Sequence, residues 1–411
     1  MKNSKKNDDI QELVSASRKA NRNRNKILIF AVVLAIFVLF SVFSVAKGKV
    51  VIDSIKNLRE NGSAASAYLV NAKEEQYEKI MNLDYIEYVG QECSVGDWIQ
   101  NDTPFATCKV LDKIGYEKIV KPAYDGIVGH YPADKKEIML PKKLFESLGI
   151  QEPQIGMKLS VPIQFKSWSV NDGNGLTEEF VLSGYYNDYI KESENIPTVY
   201  LSEKYLEEKE IAKYPEKLLI TFKSKFLSDI QMERQLYQDV PLTDENQQFV
   251  GGYSISFQAV NQFIGGYGIA VLCTIIVLLS VYLLIYNVLS ISFTKDIQYY
   301  GLLFTIGVTQ KQVKKLLFRQ NKEIIVKGSI IGGIASLLIG GIGFPILFRS
   351  LFLQQNGKIS IQTILYPQIL MGAILIVIVL MLLANGHTMR KLKQLSPIEA
   401  YRYSAVSCIS P

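Results

Sequence analysis

Histidine is almost missing from this chain: His130 and His387 are the two among 411 residues. Two imidazoles so far apart cannot supply a histidine-based triad or a zinc site with several histidine ligands, and each reads as an ordinary polar surface residue. Cysteine is scarce too, at four, which excludes a scaffold held together by disulfides. A phosphate-binding loop is also lacking. Such a loop needs G-x-x-x-x-G-K-[ST], whereas Gly48-Lys49 and Gly357-Lys358 run into Val50 and Ile359. No nucleotide is bound by that route. Carboxylates are numerous, but a solvated face explains residues such as Asp125 and Asp134 better than an acid–base pair. Internal repeats and low-complexity linkers are absent. Neither an enzyme nor a resident metal or cofactor is expected.

What the chain has is apolar sequence, concentrated in runs. With 48% hydrophobic and 20% charged residues it is no disordered polymer. Crossing a bilayer takes roughly 20 apolar residues at about 1.5 Å of rise each. Four runs meet that length: Ile27 to Ala46, Tyr267 to Ile291, Ile324 to Phe348 and Leu365 to Ala384. Ser44 and Ala46 resemble the small residues of a signal cleavage site, but the first run is longer than a signal core usually is. The other three are too long and too free of charge to be buried helices of a soluble core.

Basic residues orient the runs. Lys2, Lys5, Lys6, Arg18, Lys19 and Arg22 precede the first, and Lys311, Lys314, Lys315, Arg319 and Lys322 lie between the second and third. Arg390, Lys391, Lys393 and Arg402 follow the fourth, whereas Arg349 and Lys358 are alone between the third and fourth. The positive-inside rule then makes both termini and the middle loop cytoplasmic. Residues 47–266 form one domain outside, where acidic residues outnumber basic ones. The net charge of +6 thus belongs to the cytoplasmic face, and anionic lipid explains it better than nucleic acid.

The expected order is a basic pre-membrane helix (1–26), spans at 27–46, 267–291, 324–348 and 365–384, a cytoplasmic segment at 292–323, a short outer loop at 349–364 and a cytoplasmic tail at 385–411. The exterior domain reads as mixed α/β. Asp53 to Asn82 is at helical spacing, interrupted at Gly62-Ser63. Runs rich in Val, Ile, Tyr and Phe predict strands at Glu137 to Leu140, Lys158 to Phe165, Glu178 to Tyr186, Thr198 to Leu201, Lys217 to Phe222 and Tyr253 to Val260. Helices are expected at Lys142 to Leu148, Glu203 to Glu210 and Lys225 to Tyr237, and a turn at Asn171 to Gly175. Cys93 and Cys108 share this domain; spacing alone leaves open whether they are bridged.

The middle loop carries the most information. Thr309 with Gln312 predicts a capping box, the hydroxyl taking the Gln312 amide and the glutamine returning to the Thr309 amide. Beyond it Val313, Leu316 and Leu317 share one face, with Lys311, Lys314, Lys315 and Arg319 mostly opposite. Glu323 and Lys327 stand at i and i+4 in the favourable order. A short cationic amphipathic helix results, suited to lying on anionic lipid or to being pushed by a partner. In the third run Gly328 and Gly332, Ser329 and Gly333, and Ser336 and Gly340 make a small-x-x-x-small ridge. It fits helix packing within the chain or between two copies.

DIQYYGLLFTIGVTQKQVKKLLFRQ, residues 296–320, resembles the run after the second span in FtsX-like permeases of ABC transporters, especially the antimicrobial-peptide and lantibiotic type. SPIEAYRY (396–403) is similar to that family's tail, and ANRNRNKILIF (20–30) to its pre-membrane helix. In the exterior domain, ADKKEIMLPKKLFESLGI, IGMKLSVPIQF, EEFVLSGYYNDYI and TVYLSEKYL resemble the MacB-type core in order. Phe304 departs from a usual basic residue, and Val308 from a small or hydroxylated one.

The resemblance implies four transmembrane α-helices with a mixed α/β extracytoplasmic domain inserted between the first and second, and a permease domain over 267–403. It implies a separate cytoplasmic ABC ATPase that binds ATP and magnesium, and a second permease copy, identical or paired. Coupling to the ATPase would fall on Asp296, Gly301, Gly307, Thr309, Lys311, Gln312, Lys314, Lys315 and Arg319, and pairing on Gly328, Gly332, Gly333 and Gly340. The spans lack mid-membrane acids, so cargo, a peptide antibiotic or lipid-linked molecule, is expected to be handled outside or taken sideways from the lipid. Two rivals are a scaffold that activates a wall hydrolase and a receptor without energy coupling.

Overall fold

The computed structural model describes residues 22–166, 176–190, 196–209, 216–223, 229–251, 255–305, 307–352 and 367–394. Along the chain come α1 (Arg22–Asn61), β1 (Ala67–Val70), α2 (Glu74–Met81), β2 (Ile86–Gln100), β3 (Thr103–Leu111), a π turn (Gly115–Val120), β4 (Asp125–Gly129), β5 (Glu137–Pro141) and α3 (Lys142–Ser147). Then follow β6 (Lys158–Phe165), β7 (Leu176–Asn187), β8 (Thr198–Leu201), α4 (Glu203–Glu208), β9 (Lys217–Phe222), α5 (Asp229–Asp239) and β10 (Gln248–Gly251). The chain continues through α6 (Ile255–Ile264), α7 (Tyr267–Thr305), α8 (Gln310–Phe352) and α9 (Pro367–Gln394). Two units result: Met1–Lys49 with Tyr267–Pro411, and Val50–Gly266. The pre-membrane segment up to residue 21, the 171–175 turn, Cys408 and the 396–403 tail lie outside the described residues.

Among the described residues four helices are long and apolar enough to cross a membrane: Asn25–Asn61, Gly268–Ile291, Lys311–Ile346 and Pro367–Ala384. The expected separate segment 292–323 is instead the ends of two long helices, α7 and α8, joined by a turn. Leu28, Val32, Ala35, Ile36, Leu39 and Phe40 make one buried stripe on α1 at helical spacing. It meets the glycine ridge of α8. A Cβ on Gly328 would lie 2.6 Å from Val32, one on Gly332 would lie 3.2 Å from the Val33 backbone, and one on Gly340 would lie 2.8 Å from the Phe40 ring. Phe40 and Phe344 stack at 6.0 Å. Gly333 faces the other way, toward Ile374 of α9. The ridge therefore packs within the chain, where small residues let backbones close up.

The second unit is built on a ten-stranded sheet, in the order β10-β1-β9-β2-β3-β8-β5-β7-β4, with β6 pairing β2 and β7. Most neighbours are antiparallel; β3 with β8 and β5 with β7 are parallel. Strand β2, 15 residues long, serves both halves of the sheet. Its first part joins Leu69, Leu218, Ile220 and Met232 in one core, and its second part joins Val161, Phe180 and Leu182 in another. A third cluster, rich in tyrosine, fills the opposite face around Tyr116, Tyr124, Tyr186 and Tyr200. A mixed α/β domain thus stands between the first and second apolar helices.

Two expected elements change. Within Asp53 to Asn82 the helix breaks at Gly62, φ +68°, as expected, and Glu74–Met81 is helical, but Ala67–Val70 becomes a strand between β9 and β10. Sheet pairing outweighs the helical preference of its alanine there. Tyr253 to Val260 was expected as a strand, yet the chain is helical from Ile255 to Ile264. Gln258 and Gln262, four apart, share one helical face and bond Asn61 and Asn57 at 3.4 and 3.3 Å.

Candidate functional site

The turn between α7 and α8 is closed by backbone chemistry on both sides. At the end of α7, Gly307 has φ +93° and the Val308 amide donates to the Leu303 carbonyl at 2.9 Å. That six-residue closure is the Schellman motif, which needs a residue tolerant of the left-handed region. Two residues on, Thr309 caps α8. Its amide donates to Gln312 Oε1 at 2.8 Å, the expected return half of the capping box. The other half differs: the Thr309 hydroxyl donates to that same Gln312 oxygen at 2.8 Å, and the Gln312 amide goes to the Thr309 carbonyl at 2.9 Å. One glutamine oxygen serves two donors, so it cannot leave without freeing both.

Past the cap, Val313, Leu316, Gln320 and Ile324 are buried at steps of three and four, and Gly328, Gly332, Ser336 and Gly340 continue the row. The amphipathic start and the packing ridge are one stripe on a single 43-residue helix. Lys311, Lys315 and Lys322 lie on the exposed side and Arg319 is half-buried. Phe318 is 62% exposed, an apolar ring among cations. Glu323 and Lys327 pair at 3.0 Å. Asp296 and Gly301 fall on α7 and Lys314 on α8. The structure therefore gathers Gly307, Thr309, Lys311, Gln312, Lys315 and Arg319 at one turn and the helix leaving it.

Sequence reasoning missed a second constellation, in the α/β unit. At the C-terminal end of α1, Arg59 donates to Asp125 Oδ2 at 2.9 Å, and its guanidinium lies 4.7 Å over the Tyr189 ring. Asp125 also accepts from Tyr189 at 2.7 Å and from Asn187 at 2.9 Å. Burial and the Asp125 carboxylate push the Tyr189 hydroxyl up to about 12, so it stays a donor. Asp125 is thus no solvated carboxylate but the hub of a partly buried network. Asp134 is exposed, and Lys204 at 2.8 Å holds its carboxyl below the usual range. Together with the Asn–Gln bonds to α6, these contacts clamp the end of α1. Beyond α6, Gly265 and Gly266 follow at φ +78° and +108° and lead into α7. The Gly-Gly pair before a span was the one visible sign of this joint.

Sequence spacing left open whether Cys93 and Cys108 are bridged, and the structure holds them unbridged. Both thiols are free and buried. Cys93 lies opposite Val110 and Cys108 opposite Gly96, so the register sets them off one another on adjacent strands. Burial raises their pKa values to about 11 and about 12.

Residues 249–392 match the family described as FtsX-like permease C-terminal. Over those residues, about a third of the chain, it is similar to FtsX-like permeases. Among solved structures it is similar to the periplasmic region of MacB from Actinobacillus actinomycetemcomitans, at 11% identity and TM-score 0.31, over 46% of this chain and 91% of that one. It is also similar to the extracellular domain of the noncanonic ABC-type transporter YknZ from Gram-positive bacteria, at 14% identity and TM-score 0.29, over 44% and 89%. No curated protein matches it.

Proposed function

We propose that this permease hydrolyses nothing itself and passes the motion of a separate cytoplasmic ATPase, which binds ATP and magnesium, to its inserted α/β domain. The observation that carries this reading is the doubly capped turn at Gly307 and Thr309, from which one helix runs unbroken from Gln310 to Phe352. A push on the cationic end at Lys311, Lys315 and Arg319 is then applied to a helix packed on α1 through its glycines. In this reading the termini and the turn are cytoplasmic, the α/β domain is outside, and two permease copies work together.

The cargo class is a peptide antibiotic or a lipid-linked molecule, handled outside or drawn sideways from the membrane, for export or resistance. The test is to purify the chain with its ATPase and compare hydrolysis for Gly307→Trp and for Lys314→Glu with Lys315→Glu. Loss of stimulated turnover with the complex intact is expected. Unchanged binding and turnover would remove this turn as the coupling element.

A further inference from the structure

The α/β unit contains a half-open cleft of about 600 Å³ whose floor is one face of the central sheet. Side chains alternate along a strand, and here the alternation separates two chemistries. Leu218, Ile220, Cys108, Val110, Val199 and Leu201 point into the apolar cores. Their neighbours Lys217, Glu92, Thr107, Lys109, Thr198 and Tyr200 line the cleft. Register sets Lys217 opposite Glu92, Thr107 opposite Thr198, and Lys109 opposite Tyr200. Five of these six side chains are polar or charged in short form, and Tyr200 adds a ring with a hydroxyl.

Among the described lining residues the charges do not balance. Glu92 is paired with Lys109 at 3.0 Å. Lys217 is half-buried and has no ion-pair or hydrogen-bond partner among the described residues, so among the described lining residues two ammonium groups, Lys109 and Lys217, face one carboxylate, Glu92. The hydroxyls of Thr107 and Thr198 are likewise uncommitted among the described residues. Ser63 and Tyr68 bond each other at 3.1 Å, which uses one of their two hydroxyl protons. Lys217 shares its one facing carboxylate, Glu92, with Lys109, so an anion in the cleft would find an ammonium with donors to spare. Hydroxyls on the same lining as that ammonium fit a ligand rich in hydroxyls.

We propose that this cleft binds a small hydroxylated oxyanion, a sugar phosphate or sugar carboxylate, with Lys217 on the anionic group and Thr107, Thr198 and Tyr68 on its hydroxyls. Asn61, Gly62 and Ser63, which follow α1 directly, form part of the rim. The ligand would therefore touch the end of the first long helix, which makes the cleft a place where a small molecule biases the permease.

The test uses the full chain in lipid nanodiscs, titrated calorimetrically with glucose 6-phosphate, glucuronate and glucose. One or both charged sugars are expected to bind, with glucose at least about tenfold weaker; the two charged arms separate phosphate from carboxylate. Lys217→Ala is expected to weaken that binding about tenfold, roughly 1.4 kcal/mol, and Lys217→Arg to retain it. Thr107→Val, which keeps the side-chain shape, is expected to weaken it as well and serves if Lys217→Ala does not fold. Absence of binding by both charged sugars at millimolar concentration, equal binding of glucose, or full affinity in Lys217→Ala and Thr107→Val would overturn the proposal. The readout needs no ATPase, so its result is independent of the coupling reading.

Discussion

Arg59 and Asp125 meet at 2.9 Å with their side chains only 10% and 25% exposed, and the pair ties the last turn of α1 to strand β4. Removing one partner strands the other, which costs about 2–3 kcal/mol for a partly buried charge. Asp125→Ala and Arg59→Ala are each expected to lower the resistance of the α/β unit to proteolysis in the full chain, and the double variant to cost less than the two together. Strictly additive costs would show that the two residues act separately.

Gly307 provides a second measurement. A Cβ there would meet nothing within 4 Å, so only its backbone angle of +93° resists substitution. Gly307→Ala is expected to cost about 1 kcal/mol and to reduce ATPase stimulation, whereas Gly307→Asn, better suited to the left-handed region, recovers most of it. Equal effects of the two would point to a steric role.

The α8 glycines differ among themselves. A methyl at Gly328 or Gly340 would intrude on Val32 or Phe40 at 2.6 or 2.8 Å, whereas one at Gly333 would find Ile374 at 3.9 Å. Gly328→Ala and Gly340→Ala are therefore expected to destabilise the detergent-solubilised chain by about 1–3 kcal/mol, and Gly333→Ala to be close to neutral. A thermal unfolding series reads the contrast.

Alkali is the fourth probe. Burial raises the thiols of Cys93 and Cys108 to about 11 and about 12, above an ordinary value of 9.0. The folded state thus holds the protonated forms, so their contribution is complete below pH 9 and is lost as pH rises through 11 and 12. Burial shifts the Tyr124 and Tyr200 hydroxyls the same way. Alkaline unfolding above pH 9 is expected, and at pH 8 maleimide should label neither Cys93 nor Cys108 until the domain is denatured. Rapid labelling of the native chain would contradict their burial.

Legibility followed the strength of each local signal. The four spans were readable because nothing but length and absence of charge is needed to specify them. Strands β5, β6, β8 and β9 were readable as short apolar runs, but β2 was not: Gly90, Glu92 and Gly96 interrupt its pattern. Those glycines are demanded by neighbours, since a Cβ on Gly90 would strike the Gly115 backbone at 2.4 Å and one on Gly96 the Gln164 carbonyl at 2.3 Å. The α6 segment misled because Ile255, Phe257 and Val260 suit a strand equally well, and its partners Asn57 and Asn61 lie some two hundred positions away. At the coupling turn Gly307, Thr309 and Gln312 were legible because caps are local. Asp125 was not, since its partners Arg59 and Tyr189 are distant in sequence and nothing in a lone carboxylate announces them.

The two chain segments that lead between the apolar helices and the α/β domain are mechanically unequal. In the coupling proposed above, the 40 helical residues of α1 would carry torsion as a shaft does, with the Arg59 network fixing its last turn to β4. The other segment passes through Gly265-Gly266, both at positive φ. In that reading a twist passing along α1 meets no residue at positive φ before Gly62, while one passing through α7 meets two residues at positive φ, where alanine would strain the backbone rather than merely stiffen it.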